Sequence, residues 1–269
     1  MIHADASLAR RLEDLICAEF RQLAAVAPAV LAGVPVECIS VGSGVALWLG
    51  HGSPVNLAVG LGMAGPVDKP ELERVEGFYH DRGAEALISI CPLAHPSLLG
   101  GLGRRGWWAS DFEHVLVLEL GGRRSGSEAP PPGVDVRVCP PDERELWGRL
   151  AAQGLSSGAS PAQRHDEFGA IMAAREDVIL VLAWLDGAPA GTGALTISGG
   201  VGWLSGDSTL PEYRRRGVQQ AVQRHRLLLA REAGCGLAVT EAAPGSVSQR
   251  NMERVGFRVA YTHVEFVKR

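Results

Sequence analysis

The 269-residue sequence has only two lysines, few cysteines and no long uninterrupted apolar segment. Its apolar runs stay below the roughly 20 residues that span a bilayer, so we expect no membrane partner. The first 14 residues lack the apolar stretch of a secretory signal. Five scattered cysteines without a C-x-x-C pair are typical of reduced core thiols and predict a cytoplasmic protein.

An excess of charge of one sign is also absent. The net charge is −4, and the 24 arginines are spread along the chain, which argues against a dedicated nucleic-acid binder. The eight histidines show no metal-ligand spacing, so we predict no metal. With 46% hydrophobic residues, the chain has enough apolar surface for a packed core.

A segment rich in Gly, Ser and Pro, GGRRSGSEAPPPG at 121–133, divides the sequence. Its three consecutive prolines cannot continue a helix or join a central strand, so it predicts a linker. We therefore predict a first domain at 1–120 and a second at 134–269. The hydrophobic pattern of the second domain gives the order β-α-α-β-β-β-α-β-α-β, typical of a mixed sheet with helices.

The end of the first half is similar to the end of the second. Gly83 and Gly106 correspond to Gly234 and Gly256, at shifts of 151 and 150 residues, and each pair brackets a strand and a short helix. We interpret this as two similar domains in tandem.

The most informative segment is DSTLPEYRRRGVQQA at 207–221. A predicted strand ends at Leu210, Pro211 turns the chain, and three arginines precede Gly217 at the start of a predicted helix. Helix N-termini offer unpaired N–H groups and partial positive charge, and glycine lets a ligand approach the backbone. The segment favours a phosphate-bearing ligand, and the alternative is a plain strand–turn–helix with solvated arginines.

These residues resemble the coenzyme-binding segment of the GNAT superfamily of acyl-CoA N-acyltransferases. Its members carry R/Q-x-x-G-x-G/A at the start of the central helix. Arg214 to Gly217 match the first four positions, and Gln219 replaces the final Gly or Ala. Residues 248–257, SQRNMERVGF, resemble the family's next helix with its closing Gly-Phe.

The resemblance implies an α/β fold of two tandem GNAT-like domains, each a mixed, mostly antiparallel sheet flanked by helices. The second domain would be catalytic and the first degenerate. Acetyl-CoA would be the co-substrate and a small-molecule or peptide amine the acceptor, in a monomer or homodimer. The coenzyme-binding residues would be Ser208, Thr209, Leu210, Arg214, Arg215, Arg216, Gly217, Val218, Gln219, Gln220 and Asn251.

An acetyl transfer to an amine needs a group that accepts the amine's proton and a donor for the departing thiolate. Asp207 and Glu241 are the candidate bases, and Tyr261 and Tyr213 the candidate donors. A splayed or bulged strand at 201–210 would supply a backbone N–H for the carbonyl oxygen.

The position where many family members have a donor tyrosine holds Met252, so that role is not carried over. This departure keeps a non-catalytic acyl-CoA-binding or sensing module as an alternative.

Two G-x-G-x-x-G matches, at 60–65 and 101–106, suggest a dehydrogenase, but Pro66 follows the first and the second ends a helix. The 151-residue shift sets Pro66 opposite Gly217, which predicts one acetyl-CoA per chain, in the second domain only.

Overall fold

The fold was obtained as a computed structural model that describes residues 4–121, 130–156 and 164–269, without the side chains of 155 and 156. Residues 122–129 of the predicted linker therefore lie outside the described residues. The elements of the first half are α1 (Ala6–Val30), β1 (Glu37–Val41), β2 (Gly44–Trp48), β3 (Ala58–Val59), α2 (Lys69–His80), β4 (Ala86–Ile90), α3 (Pro96–Arg104) and β5 (Trp108–Glu119).

The elements of the second half are β6 (Val134–Val138), α4 (Arg144–Ser156), α5 (His165–Ala174), β7 (Val178–Leu185), β8 (Ala188–Ser198), β9 (Val201–Thr209), α6 (Val218–Glu232), β10 (Leu237–Ala242), α7 (Val247–Arg254) and β11 (Arg258–Lys268). This is the predicted order of the second half. Within the described ranges, every helix is too short or too polar to cross a bilayer.

The chain divides into two compact units, one of Met1–Val115 with Val259–Arg269 and the other of Leu116–Arg258. The last strand of the second half, β11, thus lies almost entirely in the first unit, and the end of β5, the last strand of the first half, lies in the second. Strand β11 pairs antiparallel with β4 in the first unit, and the end of β5 lies beside β10 in the second. The domain boundaries at 120 and 134, drawn from composition, stay a prediction.

In the first unit, the strand order is β1-β2-β3-β4-β11, followed by the start of β5. Helices α2 and α3 contribute to an apolar core that includes Trp48, Phe78 and Trp107. Tyr79 is fully buried there and its hydroxyl donates to the carbonyl of Leu47 at 3.0 Å. The apolar face of α1 packs on the sheet and carries one acid, Glu13, into the interior.

Two carboxylates of this unit, one buried and one half-buried, each form hydrogen bonds with several side chains. Glu13 accepts from the hydroxyl of Tyr261 at 2.8 Å and lies 2.6 Å from Nε2 of His263. Burial acts to raise the pKa of Glu76, but hydrogen bonds from Arg105, Lys268 and Trp107 lower it to about 2. The charged form of Glu76 therefore stabilises the fold.

In the second unit, β6, β7, β8 and β9 form an antiparallel sheet, and β10 adds to β9 in parallel. Trp147 of α4 has no exposed surface, and its indole N–H donates to the carbonyls of Val181 and Gly193, both at 3.1 Å. Helix α6 packs on β8 and β9 through residues that include Val218 and Val222. Helices thus flank a mixed sheet, as the sequence predicts.

Candidate active site

The two parallel strands of the second unit separate partway along their length. They pair from Leu237 with Val201 to Val239 with Trp203. All residues of both strands are described, and β9 continues to Thr209 and β10 to Ala242 without further pairing between these two strands. The hydroxyl of Thr240 instead donates to the carbonyl of Leu204 at 3.0 Å. The separation leaves a gap between the C-terminal ends of β9 and β10.

A bulge lies in β9 directly beyond this point. Ala194 pairs with Ser205 and Thr192 with Ser208, so two residues of β9 stand opposite one residue of β8. One of these two, Gly206, has φ 62°, a backbone conformation that favours glycine. The bulged strand that the sequence predicts is therefore present, and it releases backbone groups from the regular ladder.

The chain then turns into α6 without a side-chain cap. Pro211–Tyr213 form a short 3₁₀ turn, and Gly217 is the N-cap of α6 with φ 81° and no capping side chain. The first N–H groups of a helix have no partner within the helix. A Cβ at Gly217 would stand 2.5 Å from Cγ of Pro131, so no larger residue fits here without a shift. The helix start therefore presents bare backbone at its positive end.

Three arginines precede this helix start, and each has a different environment. Arg214 Nε donates to the carbonyl of Thr209 at 3.2 Å. Arg215 is exposed and has φ 64°, unusual for a residue with a side chain and a form of local strain that often marks functional sites. Arg216 pairs at 2.8 Å with Asp186, and both side chains are more than half exposed. The arginines supply a positive field that suits phosphate.

The remaining predicted coenzyme residues divide into three groups. Ser208, Leu210 and Val218 are buried, and the Ser208 hydroxyl donates to the carbonyl of Leu150 at 3.0 Å, so only their backbone is available to a ligand. Gln219 accepts from the side-chain amide of Asn251 at 2.6 Å, which links the start of α6 to α7. Thr209 and Gln220 are partly exposed, on β9 and in the first turn of α6.

The predicted catalytic residues are not brought together in one unit. Asp207 and Glu241 belong to the second unit, whereas Tyr261 belongs to the first, where its hydroxyl donates to Glu13. Glu241 lies on β10, two residues beyond the last pair with β9, and is partly exposed. Tyr213 is partly buried in the turn before the arginines. Met252 is 1% exposed and packs in the apolar core of the second unit.

Asp207 has a partner that our sequence prediction missed. Arg226 of α6 has no exposed surface, and its Nη2 donates to Oδ1 of Asp207 at 2.5 Å. Nη1 of the same guanidinium donates to the carbonyls of Ala194 and Ser205, both at 2.9 Å. The sequence contained one signal for this pair: Arg226 is a charged residue four positions after Val222, and so lies on the apolar face of the predicted helix.

The first unit has a different arrangement at the corresponding helix. The residue that caps α2 is Asp68, two positions after Pro66, so the predicted correspondence of Pro66 with Gly217 is wrong by two residues. The Asp68 carboxylate accepts from Glu71 N–H, and the Glu71 carboxylate accepts from Asp68 N–H, both at 2.9 Å. A carboxylate thus occupies the place where a phosphate would bind, and it also repels one.

Cysteine chemistry and metal binding find no support in the geometry. All five cysteines are free thiols, and burial raises the pKa of Cys17 and Cys91 to about 12 and of Cys139 to about 11. Across the described ranges, no group of three or more His, Cys, Asp or Glu side chains is placed to hold a metal ion.

Comparisons with known proteins bear on the family and the fold of the chain. Residues 148–257 match the model of the acetyltransferase (GNAT) family. A GCN5-related N-acetyltransferase from Kribbella flavida has a similar structure, with a TM-score of 0.66 and 22% identity over 91% of this chain and 95% of that chain. A tandem GNAT protein from the clavulanic acid biosynthesis pathway gives a TM-score of 0.60 and 16% identity, covering 91% of this chain and 87% of that one.

A GCN5-related N-acetyltransferase from Sphaerobacter thermophilus is similar with a TM-score of 0.57 and 15% identity, over 87% of this chain and 75% of that chain. No curated protein sequence matches the chain. At these identities the structural likeness bears on the fold, which is that of tandem GNAT proteins, as the sequence predicts.

Proposed function

We propose that the chain, whose residues 148–257 match the acetyltransferase (GNAT) family, transfers an acetyl group from acetyl-CoA to a primary amine of a small molecule or peptide. The observation that carries the proposal is the start of α6 at Gly217, which has no side-chain cap and follows three arginines. It comes directly after β9, at the end where β9 is no longer paired with β10.

The proposed coenzyme site lies along β9 and the start of α6. The N–H groups after Gly217 and the arginines at 214–216 would hold the pyrophosphate, since backbone donors and guanidinium groups both favour phosphate oxygens. The gap between β9 and β10 would receive the acyl end. Gln219 and Asn251, already hydrogen-bonded to each other, would border the same region.

The proposed chemistry requires a neutral amine that attacks the thioester carbonyl carbon. The new C–N bond forms, the C–S bond breaks, and the proton lost by nitrogen balances the one gained by the thiolate. We propose Glu241 as the group that accepts the amine's proton, directly or through water, because it is partly exposed beside the gap. Asp207, the other base that the sequence suggests, is less suited to this role, because it already accepts a hydrogen bond from the buried Arg226. Backbone N–H groups of the bulge at Gly206 would stabilise the charge on the carbonyl oxygen.

Tyr261 is less suited to the role of donor that the sequence suggests, because its hydroxyl already donates a hydrogen bond to Glu13. Tyr213, in the turn before the arginines, stays the other candidate.

We also retain the proposal of a cytoplasmic location, which the five free thiols support.

A non-catalytic acyl-CoA-binding or sensing module is the second candidate, because Met252 fills the core where a donor tyrosine is common. The test mixes the protein with acetyl-CoA and amines (polyamines, amino acids, aminoglycosides and peptide N-termini) and measures free thiol. We expect amine-dependent thiol release that Glu241→Gln reduces about 10²–10⁴-fold in kcat. Binding of acetyl-CoA without thiol release for any amine would favour the sensing module.

A further inference from the structure

A buried ion pair supports the bulge of β9 from the side of α6. The Arg226 guanidinium reaches three acceptors on the sheet, namely the carbonyls of Ala194 and Ser205 and the carboxylate of Asp207, and its Nε also lies 3.5 Å from the carbonyl of Val222 in α6. Ser205 immediately precedes the bulge, Asp207 is part of it, and Ala194 is the β8 partner of Ser205. One side chain therefore fixes both strands at the point where β9 departs from regular pairing.

The sheet makes room for this guanidinium. A Cβ at Gly193, the β8 residue opposite the bulge, would stand 2.6 Å from Cγ1 of Val222, 2.8 Å from Arg226 Nε and 2.9 Å from Arg226 Cζ. On β9, Gly206 permits the positive φ that the bulge needs. Gly193 thus leaves room for Val222 and Arg226 of α6, and Gly206 allows the backbone conformation of the bulge.

Stability alone is a poor reason for this arrangement. Removing a charged group from water is unfavourable, and a buried ion pair contributes no more than well-packed apolar residues of similar size in many proteins. Arg226 is completely buried, and the Asp207 side chain is 13% exposed. What the pair does provide is a fixed backbone geometry, because each hydrogen bond restricts the position of one peptide group.

We propose that Arg226 and Asp207 are positioning residues, which hold the bulge of β9 so that its backbone N–H groups face the acyl oxygen. Asp207 is then the counter-ion of Arg226 and does not accept the amine's proton. This inference rests on the acetyl transfer proposed above, in which Glu241 remains the candidate base.

The first test separates a counter-ion from a base. In Asp207→Asn, the amide oxygen still accepts from Arg226, so we expect kcat within about threefold of the wild type and an unchanged acidic limb in the pH profile of kcat/KM. A base would behave differently, since its loss reduces kcat on the order of 10²–10⁴-fold. A loss of that size, together with the disappearance of the acidic limb, would overturn the assignment.

The second test removes the support without leaving a charge unpaired. Arg226→Met combined with Asp207→Asn replaces the guanidinium by an apolar side chain and neutralises its partner. We expect kcat to fall about 10²–10³-fold, the range for loss of oxyanion stabilisation, with the Kd for acetyl-CoA within about threefold. Unchanged kcat in a folded double variant would overturn the proposal.

A third variant covers the case in which the double variant does not fold. Gly193→Ala crowds Val222 and the Arg226 guanidinium without changing any charge. Gly202→Ala is its matched control, because a Cβ there would meet Ala230 of α6 at 2.9 Å, away from Arg226. We expect kcat to fall in Gly193→Ala and to hold in Gly202→Ala, and equal effects of the two would contradict the proposal.

A measurement without substrate separates this inference from the proposed function. Amide hydrogen exchange over 201–210 should be faster in Arg226→Met/Asp207→Asn than in the wild type, and unchanged in Asp207→Asn. Absence of turnover by the wild-type protein with every amine would refute the proposed function. Unchanged exchange in the double variant would refute the positioning role on its own.

Discussion

The ion pair between Arg216 and Asp186 provides a sharp test of where the coenzyme phosphates bind. Asp186 lies in the β7–β8 turn with φ 51°, and its carboxylate is 2.8 Å from Arg216 Nη2. If Arg216 binds phosphate, Asp186 both competes for the guanidinium and repels the ligand. Asp186→Asn should therefore strengthen acetyl-CoA binding, and asparagine tolerates the same positive φ, so the turn is kept.

The expected size follows from the exposure of the pair. Both side chains are more than half exposed, and exposed pairs contribute about 0.2–1 kcal/mol. A change of about 1 kcal/mol corresponds to roughly fivefold in Kd. Charges this exposed are screened at high salt, because the Debye length falls from about 10 Å at 0.1 M to about 3 Å at 1 M. The gain should therefore be about two- to fivefold at 0.02–0.1 M salt and absent near 1 M.

Isothermal titration calorimetry with acetyl-CoA at low and high salt measures this directly. Asp142→Asn is the matched control, since Asp142 is an exposed acid of the same unit beyond β6, and its loss changes the net charge equally. Tighter binding in Asp186→Asn only, and only at low salt, is the expected result. Equal effects of the two variants, or weaker binding in Asp186→Asn, would refute the assignment of Arg216 to the phosphates.

Three further predictions concern single side chains. Arg216→Ala should weaken acetyl-CoA binding about fivefold at low salt, measured in the same titration, and unchanged affinity would count against its role. Because the pKa of Glu76 is lowered to about 2, its stabilisation is complete above pH ~4.5 and is lost as the pH falls towards 2. Urea unfolding should show a loss of about 2 kcal/mol over that range in the wild type and less in Glu76→Gln. Iodoacetamide at pH 8 should label at most the half-buried Cys38 of the native protein, since burial raises the pKa of the thiols. Labelling of several cysteines before unfolding would contradict this packing.

Local chemistry made the second half of the chain predictable. The Asp186-Gly187 turn has φ values of 51° and 81°, as expected for a tight hairpin, and Ser246 caps α7 through a hydrogen bond from Gln249 N–H. Gly217 is likewise the residue at which α6 begins. Turn and cap preferences act over a few residues, so they can be read from one sequence.

Longer-range features were not predictable in this way. The sequence did not predict that β11 lies beside β4 or that β5 lies beside β10, because nothing in the residue pattern of a strand specifies its neighbour in the sheet. Arg226 looked like an ordinary helix charge, because its three acceptors come from β8 and β9. Helix α1 has no counterpart in our sequence prediction, although Leu12, Leu15 and Ile16 recur at helical spacing.

The prediction that the first domain lacks a coenzyme site stays a prediction, but the residue on which it was based is wrong. A fixed 151-residue shift placed Pro66 at the helix start, but α2 begins two residues later, and Asp68 is its cap. The prediction of one coenzyme site per chain then depends on a self-capped helix with two acids, Asp68 and Glu71, rather than on a missing N–H.

The stoichiometry of acetyl-CoA binding tests the central claim most directly, namely that the start of α6 is the coenzyme site. Calorimetry should give one site per chain in the wild type and none in Gly217→Asp, which places a negative side chain at the helix start. Gly234→Asp is the control, because Gly234 has a similar φ of 77° and open space around it, and it should retain the site. Two sites per chain, or one that persists in Gly217→Asp, would contradict the account.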